Sequence, residues 1–546
     1  MSHLLKLPTE LLAYIMGMLV TSIGPSHIHK MLLVCKCLYE IALPLSVHVF
    51  RNTPPLSVGT GDCSGRRNAQ FLRYILIDKP KLARLVKVIV IGNVRSSTSR
   101  RILPHCASTV STHRELDIYA KRIRQAIEPV SRFVNTLDLC TAWTEDLRRG
   151  FSEAQLALIM LSCKKVRTLY IAQEDQLNII PMVLDLSAHV NNLPYSHLPP
   201  APFCNLEEVY CETGHRRTGR DLWDFTLRLM RLPRLRVYEA MLGDCSRVGD
   251  HFPDEPSRSS PVRDIVMNQS NITVEMVRGI LGACKAVEKF ELSKFIHNDK
   301  CASMCVCVRV APGYHASLFN FVSARQVLRL ILPHRHTLTY LRLVLHDSRA
   351  RSMRLDDSWL VHMGPQLREL TALQTLEVEM ESLIANDKFP PHEVFPRLVD
   401  CIPTNLVNLQ IQNCNALSLE PAAELLGVVE SGDTFTQLRQ IRLLFDADSG
   451  VAQDVDLVLN SPTTTLSVVF QSHDCFVFDL GPTGTTANRN MPAVFSRVYA
   501  EDVRENWLAL RGTVSPSDSK SKDPNKPVFP PKMRLDYRDE AVEYLM

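Results

Sequence analysis

This 546-residue chain has no run approaching the roughly eighteen consecutive apolar residues of a membrane-spanning helix, so no membrane partner is expected. Excess charge of one sign is also missing. Lys and Arg total 62 against 58 Asp and Glu, a net charge of +4, which gives no electrostatic case for nucleic acid as the main partner. Reactive signatures are absent: no Gly-x-Ser-x-Gly elbow and no His-Glu-x-x-His pair occurs. Gly59, Gly61 and Gly65 lack the spacing to a Gly-Lys-Ser/Thr that a phosphate loop requires. The opening MSHLLKLPTE has no basic region feeding an apolar run, so no secretory leader is expected. The 16 cysteines show no secreted disulfide framework, and several, such as Cys140, Cys211 and Cys414, sit in apolar runs. They read as core thiols in a reducing compartment, cytoplasmic or nuclear. Asn268 and Asn271 open Asn-x-Ser/Thr triplets, which without a secretory route are chance matches.

What is present is a foldable balance, 45% apolar and 22% charged, and a distinctive front. Pro8 suits the first turn of a helix, and Glu10 lies near its positive end. Leu11, Leu12, Ile15 and Leu19 follow at helical spacing. Gly24 and Pro25 break the pattern, and a second helical run carries Leu33, Val34, Cys37, Leu38, Ile41 and Ala42 before Pro44. Helices this short need each other, and their apolar content suggests a surface completed by another protein.

The string Leu7-Pro8-x-Glu10-Leu11-Leu12-x-x-Ile15, followed by Val34-Cys35-Lys36, Leu38, Tyr39, Ile41, Ala42 and Leu45, resembles an F-box over residues 4–50. That resemblance implies a helical module docking on the adaptor of a cullin-based ubiquitin ligase. Leu7, Pro8, Leu11, Ile15 and Val34 would be its adaptor-binding positions.

Residues 51–69 are dominated by Pro, Gly, Ser and Thr and read as a loop or hinge. Beyond them, apolar residues recur at relative positions one, four and six, the spacing of a turn entry and a strand with one buried face. Examples are Leu85/Val88/Val90, Val134/Leu137/Leu139, Val166/Leu169/Ile171, Leu206/Val209/Cys211, Val262/Ile265/Met267 and Val287/Phe290/Leu292. Four more begin at Leu338, Leu373, Leu406 and Leu438, spaced 35, 33 and 32 residues apart. Helical faces lie between them, for instance Leu222/Trp223/Phe225/Leu229, Met276/Val277/Ile280 and Ala422/Leu425/Val429. This alternation resembles a degenerate leucine-rich repeat array, which implies a curved solenoid with strands inside and helices outside. A single α/β domain with a parallel sheet would show the same alternation. The gaps 92–130 and 293–335 would hold insertions.

Cys301, Cys305 and Cys307, with His297 and His315 nearby, form the densest thiol cluster, but their valine neighbours argue for packing and no metal is expected. His334 and His336 lack evident catalytic partners. Glu377, Glu379 and Glu381 alternate along one strand region and would project together as an acidic patch for a basic segment. Tyr340 and Arg342 alternate with apolar positions and should point away from the core. Tyr340, Arg342, Glu377 and Glu379 are therefore the candidate target-binding residues.

The expected fold is α/β: an F-box at residues 1–50, a linker at 51–80, a repeat domain at 81–475, and a C-terminal cap and largely flexible tail at 476–546. The expected role is the non-catalytic substrate-recognition subunit of a cullin-type ligase, without cofactor, binding the adaptor (and through it a cullin) at one end and a protein substrate along the repeats. A scaffold that delivers no substrate, or an atypical α/β enzyme, is the alternative.

Overall fold

The computed structural model describes residues 7–9, 11, 12, 14–16, 31–52, 63–92, 112–128, 136–173, 177–192, 202–213, 225–244, 258–293, 322–345, 363–383, 397–415, 418–446, 457 and 463–471. The Cys301–Cys307 cluster, the segment at 222–224 and the tail at 476–546 lie outside them.

Twelve strands form one sheet in the order β1 to β12, every neighbouring pair parallel. They are β1 Val49–Arg51, β2 Val88–Ile91, β3 Thr168–Gln173, β4 Glu208–Thr213, β5 Val237–Asp244 and β6 Asp264–Asn271, then β7 Lys289–Ser293, β8 Tyr340–Val344, β9 Thr375–Glu379, β10 Asn408–Cys414, β11 Gln440–Asp446 and β12 Thr465–Gln471. The turn-and-strand spacing explains their positions. Leu338 anchors the entry to β8, and Leu341 and Leu343 then alternate inward, all three fully buried. Each such side chain contributes about 1.5–3 kcal/mol by leaving water.

A crossover of one hand, repeated between successive neighbours, returns the described connecting helices to the same face of the sheet. One continuous apolar core from Phe50 to Phe445 lies between that face and the helices. At its deepest point is the helix Ser152–Ser162, in which every residue is buried. It contacts the helices Cys63–Arg73, Thr136–Arg148 and Ile179–Asn192. Glu153, carried into that interior, accepts backbone N–H bonds from Asn178, Ile179 and Ile180 through Oε1, at 2.5, 2.6 and 3.2 Å. The carboxylate thereby closes the start of the Ile179–Asn192 helix, whose first N–H groups have no partner within the helix.

The expectation of a curved leucine-rich repeat solenoid is corrected by this architecture. A wedge-shaped repeat needs a similar unit at every step, and here the units are unequal. Strand starts are separated by 25 residues from Asp264 to Lys289 and by 80 from Val88 to Thr168. Three helices, His113–Ile127, Thr136–Arg148 and Ser152–Ser162, cover the β2–β3 step. The described cover of the β8–β9 step is the single 3₁₀ segment Gly364–Glu369. The near-constant spacing after residue 338 is a local property of one region. The chain is an extended parallel α/β sheet with uneven helical cover, the architecture weighed above as the alternative.

Two local readings also change. Val134/Leu137/Leu139 has strand spacing, yet residues 136–148 form a helix, with Cys140, Trp143 and Leu147 buried at helical intervals. Residues 63–69, read as hinge, belong to the Cys63–Arg73 helix.

Candidate interaction surface on the open face of the sheet

The burial pattern alternates along the strands of the second half: in β8, Tyr340, Arg342 and Val344 are half-buried between the buried Leu341 and Leu343. Strand register turns this alternation into rows. One row runs from Tyr170 through Tyr210, Glu239, Val266, Glu291 and Arg342 to Glu377 and Gln410. A second runs from Glu208 through Val237, Asp264, Lys289 and Tyr340 to Thr375 and Asn408. Neighbours in a row stand about 4.8 Å apart. All-parallel sheets are ordinarily covered on both faces and read as continuous apolar runs. This one carries charged, amide and phenolic side chains on the face away from its helices.

At the centre, β7, β8 and β9 bring five of these side chains together. Lys289 Nζ lies 2.7 Å from Glu291 Oε1. Arg342 reaches both Glu291, at 3.5 Å, and Glu377, at 3.4 Å. Tyr340 Oη donates to Glu377 Oε1 at 2.8 Å, and Lys289 Nζ stands 5.0 Å from the Tyr340 ring centroid. Two cations and two carboxylates cancel, so the cluster is neutral and fixed. Burial, followed by the Glu291 and Glu377 charges, pushes the Tyr340 phenol far above its usual pKa, so it remains a hydrogen-bond donor.

A second group lies upstream. The Tyr170 and Tyr210 rings stack with centroids 4.4 Å apart and planes within 8°. Tyr210 Oη donates to Glu208 Oε2 at 3.4 Å, and Thr168 Oγ1 donates to the same oxygen at 3.3 Å. Asp264 follows two strands along. Burial raises its carboxyl pKa, with Lys289 opposing. Sequence reasoning missed this aromatic pair, although Tyr170 lies between Leu169 and Ile171 just as Tyr340 lies between Thr339 and Leu341.

Of the four candidate target-binding residues, Tyr340, Arg342 and Glu377 therefore meet on the open face. Glu379 does not join them. It is 2% exposed and ties strands together, accepting from Leu345 N at 2.8 Å and from Asn413 Nδ2 at 2.9 Å. The alternating acidic patch fails for the same reason. Glu379 is internal, and Glu381 lies in the helical turn Met380–Leu383, beyond the end of β9.

His334 is buried, its Nε2 placed 3.2 Å from Leu281 O, which joins neighbouring turns. Among the described residues no group of three His, Cys, Asp or Glu side chains could hold a metal. Nine of the described cysteines, Cys140, Cys163, Cys211, Cys284, Cys401 and Cys414 in the interior and Cys35, Cys37 and Cys204 nearer the surface, are free thiols. Among the described residues no helix is long and apolar enough to cross a membrane.

The N-terminal segment has its own small core of Leu12, Met16, Ile41 and Ala42, with Leu7, Met31, Leu32 and Leu45 packed against it. Leu11, Tyr14, Leu33 and Val34 are 49%, 65%, 68% and 42% exposed. Among the positions singled out earlier, Pro8, Leu11 and Val34 are exposed, while Leu7 and Ile15 are half-buried. The helix Lys36–Ser46 runs into β1, which pairs with β2, and Lys79 Nζ donates to Tyr39 Oη at 2.7 Å.

The segment read as an F-box thus passes directly into the edge strand of the sheet. No protein-family model matches the chain, and no curated protein sequence matches it. The F-box and leucine-rich repeat resemblances, and the ligase-subunit role they implied, are withdrawn on these grounds.

Proposed function

We propose that this chain is a non-catalytic binding protein whose recognition surface is the open face of its parallel sheet. The observation that carries this reading is that, among the described residues, the helices lie against the other face, while this one bears ordered rows of tyrosines, carboxylates and amides around Arg342, most of them half-buried. A surface of this kind suits a protein segment laid across the strands. Tyrosine and arginine supply large contact area with polar tips, and the cross-strand ion pairs hold them in place before binding. The groups at the centre neutralise one another, which favours recognition over bond chemistry. Free thiols across the core fit residence in the cytoplasm or nucleus.

Photo-crosslinking tests the reading. A crosslinking residue at Gln410, on the open face, is expected to capture discrete protein partners in cells. The same residue at Glu420, on the helical side, is expected to capture none of them. Arg342→Ala combined with Tyr210→Ala should abolish the Gln410 adducts while leaving the fold intact. Identical adducts from both positions, or none from Gln410, would refute the proposal.

A further inference from the structure

The turns leading into the strands carry an uneven charge that the near-even balance of the whole chain conceals. The four residues before each of β2 to β7 together hold nine Lys and Arg against two carboxylates, Glu207 and Glu288. The four before each of β8 to β12 hold one cation, Arg439, and no carboxylate. Of the nine cations, Lys164 is half-buried and the rest are exposed. Backbone hydrogen bonds tie the turns side by side. Arg167 N donates to Lys87 O at 2.7 Å, Glu207 N to Arg167 O at 2.8 Å and Arg236 N to Glu207 O at 2.8 Å. Arg263 N then donates to Arg236 O at 2.9 Å, and Glu288 N to Arg263 O at 2.8 Å. One residue from each turn therefore stands in a single row, Lys87–Arg167–Glu207–Arg236–Arg263–Glu288.

Both carboxylates are engaged from within the row: Glu207 lies 4.0 Å from Arg167, and Glu288 lies 2.5 Å from Arg263. The other seven cations form no ion pair among the described residues. The turn before β4 has an acid and no cation, yet it does not interrupt the band. Its Asn205 donates through Nδ2 to Lys164 O at 3.0 Å, and an Arg234 guanidinium nitrogen donates to Asn205 Oδ1 at 3.0 Å. Arg234 is thereby held across that turn toward Lys164. Five steps of about 4.8 Å make the band about 24 Å long, so its surplus of seven charges amounts to about one per 3–4 Å. Repulsion at that density works against the fold, and a polyanion relieves it.

We propose that this strand-entry band binds the phosphate backbone of a nucleic-acid duplex without reading its sequence. A duplex carries about one charge per 1.7 Å of its axis, dense enough to meet the band along its whole length. An extended acidic protein segment turns one carboxylate to a given side only every 6–7 Å or so, about half the density of the band. A single strand is held by stacking of its bases as well, and these six turns contain no aromatic side chain. The cations follow one another in a line, turn by turn, which suits a rod better than the plane of an anionic membrane. All six turns lie at the entry ends of the strands, outside the open-face rows, so the band and the open face stand or fall separately.

Fluorescence anisotropy with the full chain tests it. The probes are two labelled DNA duplexes of unrelated sequence and about 15 base pairs, roughly twice the length of the band at about 3.4 Å per pair. One of their single strands and a labelled polyglutamate peptide complete the set, and cosedimentation with phosphatidylserine vesicles covers the membrane. Both duplexes are expected to bind equally, with log affinity falling against log salt concentration at a slope of about −3 to −5. Arg84→Gln/Arg236→Gln/Lys285→Gln should weaken binding at least about tenfold at about 0.1 M salt and reduce the slope by about 2–3. Lys121→Gln/Arg329→Gln/Arg439→Gln removes the same charge elsewhere and should change neither. All six replaced side chains are exposed, so both triple variants should melt within a few degrees of the parent. No duplex binding at low salt, or unequal binding of the two duplexes, would overturn the assignment. So would tighter binding of the single strand, the polyglutamate or the vesicles, or equal weakening by the two triple variants.

Discussion

Tyr340 on β8 and Glu377 on β9 are joined by a 2.8 Å hydrogen bond across the open face, and Arg342 binds the same carboxylate from the same strand as the phenol. The pair shows how this face is built. Residues two apart on one strand converge on a neighbour in register, so the surface is stiff before anything lands on it.

Removing the phenol oxygen isolates that bond. Tyr340→Phe keeps the ring over Lys289 and frees Glu377 to turn toward Arg342. A loss of about 1 kcal/mol in urea unfolding is expected, with no change in the slope against denaturant. Open-face binding should weaken as well, because the carboxylate is then no longer held.

Glu153 should matter more, since its Oε1 serves three backbone donors at the start of the Ile179–Asn192 helix. Glu153→Ala orphans them inside the core and is expected to cost about 3 kcal/mol. Glu153→Gln retains an acceptor and should cost less. Burial raises the Glu153 pKa, with the three N–H bonds opposing. With the folded pKa above the unfolded one, the proton-linked stability is present below the unfolded value and lost as pH rises through the folded value. Thermal unfolding between about pH 4 and 7 should therefore shift in favour of the Gln variant as pH increases.

His334 is expected to behave in the opposite sense. Burial lowers its pKa, the Leu281 carbonyl partly restores it, and Arg258 lowers it further. The folded protein holds the ring neutral, so its contribution is present above the unfolded value of about 6.5 and is lost as pH falls through the lowered folded value. His334→Gln, which can still donate to Leu281 O, should flatten the acid side of the stability profile. Chemical denaturation at a series of pH values reads this directly.

The N-terminal unit offers a contrast between neighbouring residues. Leu12 is buried with Met16, Ile41 and Ala42, whereas Leu11 is half exposed. Leu12→Ala should cost about 2–4 kcal/mol locally and speed amide exchange in the Lys36–Ser46 helix. Leu11→Ala should stay within about 0.5 kcal/mol and leave that exchange unchanged.

Much of the strand layout was legible in the chain, because a turn followed by alternating inward residues is a local pattern. Leu341/Leu343, Leu376/Val378 and Leu409/Ile411 are all where that pattern places them. β5 escaped notice because its inward residues are Tyr238 and Ala240 rather than aliphatic ones. The Thr136–Arg148 helix was misread because Leu137 and Leu139 imitate a strand over a short window, while its Trp143 and Leu147 declare a helix only over a longer one. The uneven helical cover was not legible, since a strand spacing says nothing of what crosses between strands. For the surface, alternation placed Tyr340, Arg342 and Glu377 outward. It also placed Glu379 outward, and there the backbone donor at Leu345 and the Asn413 amide drew the carboxylate inward.

The account stands on one face of the sheet being open to solvent while the other is sealed. Site-resolved thiol labelling of Gln410→Cys and Leu409→Cys, adjacent residues on opposite faces, tests this most directly. Gln410→Cys should react readily in the folded protein, and Leu409→Cys only at the rate of global unfolding. Equal, slow reaction at both positions would mean that the face is covered and that the proposed recognition surface does not exist.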